Sequence, residues 1–458
     1  MVKFGKLRKL YFVGIGGIGM SGMAEMLFNL GYQVCGSDLM ESEVTDHLQE
    51  IGIPVYFEHK AENVGDANLV VYSAAVPQDN PELEYARQNK IIIVRRAEML
   101  SELMRMKYSI GIAGTHGKTT TTSLIGQIMT HAGLDPTVIV GGRVIQFETN
   151  IKLGHSDYLV AEADEYDRSF LRMTPTEAVL TTLEEDHLDC YEDIDDLKRA
   201  FLQFANKVPF YGSVFINMDD PNLVSLIPEL NHPVVTFGLA SQADYQISNI
   251  KVEQHSTSFD VRTRRDELGR VTVGLPGVFN AMNSLAAIAV AMEHEIPFDK
   301  ISEGLANFRG VNRRFEIIGE TRGFMVVDDY GHHPTEVEVT LRAAKQGYDR
   351  PLVVVFQPHL YSRTRDFYRD FARALLAADV LIVAKIYPAR EDPIEGITGH
   401  IIVESAKSFG HQNCHYVDDF ELIPEFVSEH APENSIVMTI GAGSIYRVAP
   451  KILEALGK

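Results

Sequence analysis

Short apolar runs rich in valine and isoleucine recur along the chain, and longer segments with helical periodicity separate them. A run of four to six such residues is typical of a strand buried on both faces, whereas apolar positions three or four apart are typical of a helix with one buried side. Their alternation predicts an α/β fold built on parallel sheets. The pattern predicts strands at residues 10–13, 33–35, 69–72, 90–94, 324–327, 352–356, 380–384 and 436–440.

The same pattern predicts three domains. The first covers residues 1–107 and closes with a helical segment at 97–105, the second covers 108–319, and the third covers 320–458. The length of 458 residues agrees with this division, because one hydrophobic core rarely serves so long a chain.

Charge limits the kinds of ligand. The chain has 42 Lys and Arg against 63 Asp and Glu, a formal net charge of −21, and such a surface repels nucleic acid and anionic lipid. We therefore expect neither a nucleic-acid partner nor membrane insertion, and any anionic ligand has to be bound by a local positive site. The three widely spaced cysteines and the absence of a long apolar stretch predict a cytoplasmic protein. The oligomeric state, monomer or homodimer, stays open.

A glycine-rich turn follows the first predicted strand. The segment YFVGIGGIGMSGMA contains the pattern G-x-G-x-x-G in Gly14, Gly16 and Gly19, and a helical pattern begins directly after it. This arrangement binds phosphate groups, as in NAD enzymes. Asp38 ends the next strand, where a dinucleotide enzyme binds ribose. The pattern alone does not distinguish NAD from another phosphate-bearing ligand.

A second glycine turn begins the central domain. In GIAGTHGKTTTTS a predicted strand leads into Gly114, Thr115, His116 and Gly117, and a helix follows at Lys118 and Thr119. Backbone N–H groups and Lys118 would bind phosphate there, and the Thr119 hydroxyl would bind Mg²⁺. The spacing is shorter than the common G-x-x-x-x-G-K. Four consecutive threonines, which are poor helix formers, suggest that their hydroxyl groups have a function.

Acidic and histidine side chains follow two later strands of the central domain. Glu162 ends the strand in YLVAEADE, and Asp186 with His187 follows the strand in AVLTTLEEDHLDCY. Because strand ends of one parallel sheet share a crevice, Glu162 and His187 could join Thr119 in holding one or two Mg²⁺ ions. Histidine is an unusual ligand for this hard cation.

The motifs GIGGIGMSGMA, GTHGKTTTTS, VAEADE, NAMNSLAA, RRFE, YGHHPTE and FQPHLYSRTRD together resemble the Mur ligases, from about residue 10 to residue 445. The resemblance is closest to the branch that adds L-alanine to UDP-N-acetylmuramate in peptidoglycan precursor synthesis. It implies a Rossmann-like UDP-binding domain, a central P-loop ATPase-like domain and a Rossmann-like C-terminal domain. It also implies ATP, Mg²⁺ (with Mn²⁺ as a substitute) and L-alanine as ligands.

The resemblance assigns roles to residues of this sequence. For the UDP-sugar these are Gly14, Gly16, Gly17, Gly19, Met20, Ser21, Asp38 and Ser73. For ATP they are Gly114, Thr115, His116, Gly117, Lys118, Thr119, Thr120, Asn280, Asn283, Arg314 and Asp329. The expected metal ligands are Thr119, Glu162 and His187, and the expected catalytic residues are Lys118, Glu162, His187 and Arg314. The amino-acid pocket is assigned to Tyr330, His332, His359 and Arg363, with the Arg363 guanidinium on the alanine carboxylate.

The sequence departs from the family pattern at four positions. Phe279 and Thr182 stand where the family usually has His and Asn, and Leu360 and Ser444 replace the usual Arg and Asp. We see no counterpart of the carbamylated lysine of later-step Mur ligases, which agrees with the alanine-adding branch.

We expect the lactyl carboxylate to attack the ATP γ-phosphate and L-alanine to displace phosphate from the resulting acyl phosphate. His187 and His332 are candidates by type for the base that deprotonates the amine. Three alternatives stay open: a recycling ligase that attaches a tripeptide to UDP-N-acetylmuramate, a nicotinamide oxidoreductase, and a nucleotide-driven binding switch. The oxidoreductase leaves Lys118 without a role, and the switch leaves His359 and Arg363 without one.

Overall fold

The fold was analysed in a computed structural model that describes residues 4–17, 19–73, 75–144, 149–185, 190–389 and 391–457. These residues form three β-sheets of predominantly parallel strands flanked by helices. The chain divides into two compact units. One comprises Met1–Gln246, Arg262–Leu268 and Asn283–Gly304, and the other comprises Ile247–Val261, Gly269–Met282 and Leu305–Lys458.

The first sheet has five parallel strands in the order β3-β2-β1-β4-β5, the order of a Rossmann half. Its order reverses beside β1, so the crevice at this switch point lies where β1 ends and the first glycine turn begins. The strands are β1 Lys9–Val13, β2 Gln33–Ser37, β3 Val55–Tyr56, β4 Leu69–Tyr72 and β5 Ile92–Arg95. The helices are α1 Met20–Asn29, α2 Glu43–Glu50, α3 Ala61–Val64, α4 Pro81–Gln88 and α5 Arg96–Arg105.

The second sheet has β6 near its centre, with the order β13-β12-β11-β10-β6-β9-β7-β8 within the first unit. Its strands are β6 Tyr108–Ala113, β7 Thr137–Val144, β8 Thr149–Lys152, β9 Tyr158–Glu162, β10 Glu177–Leu180, β11 Val214–Asn217, β12 Val234–Gly238, β13 Tyr245–Val252, β14 Thr257–Thr263 and β15 Glu267–Val273. The helices are α6 Lys118–His131, α7 Ile194–Ala205, α8 Pro221–Val224, α9 Val278–Glu293 and α10 Phe298–Ala306, with short 3₁₀ helices at Tyr166–Arg172 and Ile227–Glu229.

The third sheet has six strands in the order β16-β17-β21-β18-β19-β20, and only β16 is antiparallel to its neighbour. The strands are β16 Glu316–Thr321, β17 Phe324–Asp329, β18 Leu352–Phe356, β19 Val380–Ala384, β20 Cys414–Val417 and β21 Ile436–Ile440. The helices are α11 Pro334–Gly347, α12 Tyr361–Ala374, α13 His400–Ser408, α14 Ile423–His430 and α15 Ala449–Gly457, with 3₁₀ helices at Leu375–Ala377, Phe420–Leu422 and Ile445–Val448.

The predicted strands correspond closely to the observed ones. Strands 69–72, 352–356, 380–384 and 436–440 have the predicted bounds, whereas β2 and β17 each continue two residues further. None of the extra residues, Gly36-Ser37 and Asp328-Asp329, has an apolar side chain, so hydrophobic periodicity does not detect them. Strand β5 begins two residues later than predicted. Among the described residues, no helix is long and apolar enough to cross a membrane.

Helix α6 packs closely on β7 because it contains a glycine at the contact. A Cβ atom at Gly126 would lie 2.6 Å from Val138 Cγ2 and 2.9 Å from its Cγ1. Val138 is buried in its strand, and a β-branched side chain has few rotamers with which to move away.

We therefore predict that Gly126→Ala lowers the free energy of unfolding by about 1–2 kcal/mol, although alanine favours the helix by about 1 kcal/mol. In a Val138→Ala background the same change should be neutral or stabilising, because the clash is removed. Urea unfolding of the four proteins in this cycle measures the coupling. Equal stabilisation by Gly126→Ala in both backgrounds would contradict the close contact.

Candidate functional site

The central glycine turn is shaped so that side chains are excluded from it. Gly114 has a φ of 153° and Gly117 a φ of 83°. A Cβ atom at Gly114 would lie 1.9 Å from Thr181 Oγ1, and one at Gly117 would lie 2.6 Å from Asn283 Oδ1. Helix α6 begins directly after the turn, at Lys118, and its first N–H groups have no acceptor within the helix. The turn therefore offers backbone donors and the positive end of a helix dipole to an anion.

Thr182 holds this turn in place. Its carbonyl oxygen accepts the Thr115 N–H at 3.0 Å, and its hydroxyl accepts the His116 N–H at 2.9 Å. The neighbouring Thr181 donates its hydroxyl to the His116 carbonyl at 2.5 Å. Thr182 is one of the positions where the sequence departs from the family pattern. Its hydroxyl here fixes the conformation of the glycine turn.

Lys118 forms a tight ion pair with Glu165. Its Nζ lies 2.9 and 2.7 Å from the two carboxylate oxygens and donates to the Gly114 carbonyl at 2.6 Å. Burial disfavours the ammonium charge, but the Glu165 and Asp164 carboxylates outweigh burial and raise the pKa of Lys118. The lysine is thus charged, and its ammonium group is paired with the Glu165 carboxylate.

Glu162 and Thr119 lie side by side at the end of β9. Burial raises the pKa of Glu162, while hydrogen bonds from the Gly141 backbone and the Thr119 hydroxyl act in the opposite direction. The Glu162 Oε1 atom is buried and has no hydrogen-bond partner among the described residues. A buried carboxylate oxygen beside a threonine hydroxyl fits a hard cation such as Mg²⁺. His187 and Asp186 lie outside the described residues.

Three of the four threonines that follow Lys118, Thr120 to Thr122, are buried in the first turns of α6. Thr120 is 6% exposed, and Thr121 donates its hydroxyl to Asn283 Oδ1 at 3.3 Å. Asn283 thereby touches both the glycine turn and α6. Asn280 lies one turn earlier on α9 and donates its side-chain amide to the Pro276 carbonyl at 2.7 Å.

The first glycine turn has the same construction at the end of β1. Gly14 and Gly19 have φ angles of 78° and 80°, and Gly19 is the N-cap of α1, with no side chain capping the helix. The Gly16 N–H donates to Asp38 Oδ2 at 2.9 Å. A Cβ atom at Gly16 would lie 3.0 Å from that oxygen. Asp38 therefore supports the turn itself, and its other oxygen accepts the Leu39 and Met40 N–H groups.

The remaining predicted UDP-sugar residues lie around this turn. A Cβ atom at Gly14 would lie 3.6 Å from Ser73 Cβ, so Ser73 at the end of β4 borders the turn. Gly17 accepts the N–H groups of Met20 and Ser21 at 3.0 and 3.2 Å. Met20 is part of the hydrophobic core, which leaves only its backbone for ligand contact.

Asp329 lies buried where β17 ends in the second unit. It accepts the Phe315 and Gly331 N–H groups, each at 2.8 Å, and the Thr340 hydroxyl at 3.4 Å. Burial raises its pKa to about 6, although Arg314 and these donors act against the rise. Asp329 thus fixes the segment that carries the neighbouring Tyr330.

Tyr330 lies between two guanidinium groups. The Arg313 and Arg314 carbons lie 5.0 and 5.3 Å from its ring centre, within the range of cation–π attraction. Arg314 also lies 3.4 Å from the Glu336 carboxylate, and that carboxylate accepts the His332 N–H at 3.0 Å. These contacts bring the predicted residues Arg314, Tyr330 and His332 into one cluster.

His359 adjoins this cluster. Its ring centre lies 5.9 Å from that of His332, and it stacks on Tyr387 at 5.6 Å. Burial, with a contribution from Arg363, lowers the pKa of His359 to about 4, so the imidazole is neutral near pH 7. Its Nδ1 is buried without a hydrogen-bond partner among the described residues. Arg363 is itself 8% exposed on α12.

The backbone is strained beside this cluster. Leu360, another departure from the family pattern, has a φ of 70°, and its N–H donates to the Tyr387 carbonyl at 2.9 Å. A left-handed conformation costs a non-glycine residue roughly 1 kcal/mol or more, and such positions concentrate at functional sites. The Leu360 hydrogen bond to Tyr387 keeps the adjacent His359 beside the Tyr387 ring.

Several residues of these clusters were not predicted from the sequence. Glu165 lies three residues after Glu162 in the same AEADE segment, and this second acid was the available signal. Tyr387 and Glu391 come from a loop with no motif, and only the fold brings them near His359 and Arg363. Glu336 belongs to the quoted YGHHPTE segment, but its sequence position alone does not reveal the contact with Arg314.

Comparison with family models gives three matches along the chain. The description "Mur ligase family, catalytic domain" matches residues 9–108, "Mur ligase middle domain" matches 112–291, and "Mur ligase, glutamate ligase domain" matches 313–443.

Two relatives that align over nearly their whole length have the same name. The chain is 49% identical over 453 residues to the UDP-N-acetylmuramate–L-alanine ligase of Geotalea uraniireducens, covering 99% of both chains. It is 49% identical over 454 residues to the enzyme of that name from Salinibacter ruber, covering 99% of this chain and 96% of the relative.

Solved structures agree. The UDP-N-acetylmuramate–alanine ligase MurC of Thermotoga maritima superposes with a TM-score of 0.81 at 30% identity, covering 98% of this chain and 99% of that one. The murein peptide ligase of Psychrobacter arcticus gives a TM-score of 0.70 at 23% identity, covering 98% and 99%, and shares the fold.

The Lys118–Glu165 pair predicts an effect on nucleotide affinity. If Lys118 binds ATP phosphate as predicted, that phosphate has to compete with the Glu165 carboxylate, so Glu165→Gln should tighten ATP binding by about 10-fold, which corresponds to ~1.4 kcal/mol. It should also destabilise the nucleotide-free protein, because a buried ammonium loses its partner. Calorimetric titration with a non-hydrolysable ATP analogue and thermal unfolding measure the two effects.

Glu184→Gln is the matched control for this prediction. The Glu184 carboxylate lies 3.4 Å from His116 of the same glycine turn. Its replacement by glutamine removes an equal charge but leaves the Lys118–Glu165 pair in place. An ATP analogue that binds the Glu165 variant more weakly than the control would show that Glu165 does not compete with phosphate.

Proposed function

Because the chain belongs to the Mur ligase family, we propose that it joins L-alanine to the lactyl carboxylate of UDP-N-acetylmuramate at the expense of ATP. The products are UDP-N-acetylmuramoyl-L-alanine, ADP and phosphate. The observation that carries the proposal is the 49% identity, across 99% of the chain, to an enzyme with this name. ATP dependence is a property of the whole family.

The chemistry begins with activation of a carboxylate, which is a poor electrophile. A carboxylate oxygen of the muramate attacks the γ-phosphorus, and the bond from this phosphorus to the β-γ bridging oxygen breaks to release ADP. The alanine amine then attacks the acyl carbon, and phosphate leaves with the original carboxylate oxygen. The protein therefore has to align two anions and neutralise their charge rather than form a covalent bond.

We assign the ATP phosphates to the turn from Gly114 to Gly117, to Lys118 and to the first turn of α6. The positive φ angles, the free helix start and the charged lysine support this assignment. Arg314 is proposed as a second phosphate contact. Asn280, Asn283 and Asp329 keep their proposed roles toward adenine and ribose.

Mg²⁺ would be held by Thr119 and Glu162, since a buried and unpartnered carboxylate oxygen beside a hydroxyl is a suitable donor set. The ion would supply neutralisation of phosphate charge. His187 is retained as a proposed third ligand, and Mn²⁺ as a substitute ion. Once phosphate oxygens have replaced the Glu165 carboxylate as its partner, the Lys118 ammonium would orient the phosphate group that is transferred.

L-Alanine is proposed to bind in the cluster around His359 in the second unit. The buried Arg363 would bind the alanine carboxylate, and Tyr330, His332 and His359 would line the pocket. The low pKa of His359 makes it a neutral hydrogen-bonding group rather than a second cation. UDP would occupy the first glycine turn, from Gly14 to Gly19, with Ser73 beside it.

Phosphate release with Mg²⁺-ATP and UDP-N-acetylmuramate tests this function. We expect release to depend on L-alanine, and mass spectrometry to detect UDP-N-acetylmuramoyl-L-alanine. Release only with the tripeptide L-Ala-D-Glu-diaminopimelate would instead establish the recycling ligase. ATP hydrolysis that neither amine substrate stimulates would favour the nucleotide switch.

Arg363→Ala should raise the KM for L-alanine by about 10-fold or more, because a charge-assisted hydrogen bond to a carboxylate contributes roughly 1.5–3 kcal/mol. The KM for ATP should stay within about twofold, a change below ~0.5 kcal/mol. Arg365→Ala is the control on the same helix, since Arg365 is exposed and pairs with Asp366. An unchanged KM for alanine together with weakened ATP binding would refute this placement of the amino acid.

A further inference from the structure

Arg96 covers the last glycine of the first turn. It is the first residue of α5, and its side chain is half-buried. Its Nη1 lies 3.1 Å, and its Cδ 3.8 Å, from the position that a Cβ atom would occupy at Gly19. Gly19 is also the N-cap of α1. The guanidinium therefore lies directly against the start of the helix that follows the glycine turn.

Among the residues that the structure describes, no carboxylate pairs with Arg96. Within the described ranges it forms no hydrogen bond or ion pair, whereas its neighbour Arg95 donates to the Tyr72 hydroxyl at 3.2 Å. Glu98, one turn along α5, accepts the Arg95 N–H and pairs with Arg172. Although the chain has a net charge of −21, this half-buried cation is therefore accessible to an anionic ligand.

The position of Arg96 is also electrostatically unfavourable without a ligand. A cation in the first turn of a helix faces the positive end of the helix dipole, which disfavours its charge. The start of α1 lies beside the Arg96 guanidinium and has no side-chain cap. Asp38, the acid at the other end of the turn, is already satisfied by backbone N–H groups. The positive potential beside Gly19 is therefore available to a ligand.

We propose that Arg96 binds the diphosphate of the sugar nucleotide, with its guanidinium donating to phosphate oxygens beside Gly19. This inference rests on the proposed function, and it adds a side-chain cation to a site otherwise built from backbone N–H groups. A guanidinium presents paired N–H donors that match the oxygens of a phosphate group. A glycine turn at a helix start is the corresponding backbone arrangement for phosphate.

Calorimetric titration with UDP tests the proposal directly, with Arg96→Gln and Arg96→Lys as variants. We expect Arg96→Gln to weaken UDP binding by about 10-fold or more, the effect of one charge-assisted contact, and Arg96→Lys to restore part of the loss. In turnover, Arg96→Gln should raise the KM for UDP-N-acetylmuramate and leave the KM for ATP unchanged. Thermal unfolding without ligand checks that both variants are folded.

Arg95→Gln is the matched control, because it removes an adjacent charge that does not touch Gly19. The role of Arg96 would be overturned if Arg96→Gln bound UDP within twofold of the unaltered protein. It would also be overturned if Arg95→Gln lost as much UDP affinity as Arg96→Gln. A failure of the unaltered protein to bind UDP would overturn the proposed function as well. The two failures are therefore distinguishable.

Discussion

The candidate sites of the first unit depend on one backbone constraint, a parallel strand that ends in a glycine turn and leads at once into a helix. The constraint is met after β1, where Gly14 and Gly19 have positive φ, and after β6, where Gly114 and Gly117 do. A Cβ atom at Gly114 or Gly117 would collide with Thr181 or Asn283. Only glycine lets these turns present backbone N–H groups to an anion. In a strongly acidic chain, such turns supply the positive potential that the surface as a whole lacks.

Around these turns, the surroundings of each titratable side chain determine its protonation state. Lys118 is kept charged by Glu165, whereas burial raises the pKa of Glu162 and leaves one of its oxygens unpartnered. In the second unit burial keeps His359 neutral. A site that has to assemble phosphate and carboxylate groups needs such local differences, because uniform positive charge would bind anions without orienting them.

The strands and the glycine turns were predictable because hydrophobic runs and glycine spacing are local properties of the sequence. The pairing of Thr119 with Glu162 was also accessible, since both follow strands of one parallel sheet. The contacts of Glu165, Tyr387 and Glu391 were not accessible, because they depend on the path of the chain between strands. Arg96 shows a further limit: the pattern of the RRAEML segment is that of an ordinary helix start, and the sequence does not reveal that Arg96 lies beside Gly19. Asp38 differs in another way, since only the structure shows that this predicted UDP-sugar residue also accepts the Gly16 N–H.

The central claim is that ATP activates the lactyl carboxylate as an acyl phosphate. It is tested most directly with UDP-N-acetylmuramate labelled with ¹⁸O in the lactyl carboxylate, in the presence of Mg²⁺-ATP and L-alanine, followed by mass analysis of the released phosphate. One labelled oxygen in each phosphate is the predicted result, because the oxygen that attacks the γ-phosphorus leaves with it. Phosphate without label, formed together with the alanine adduct, would contradict the account.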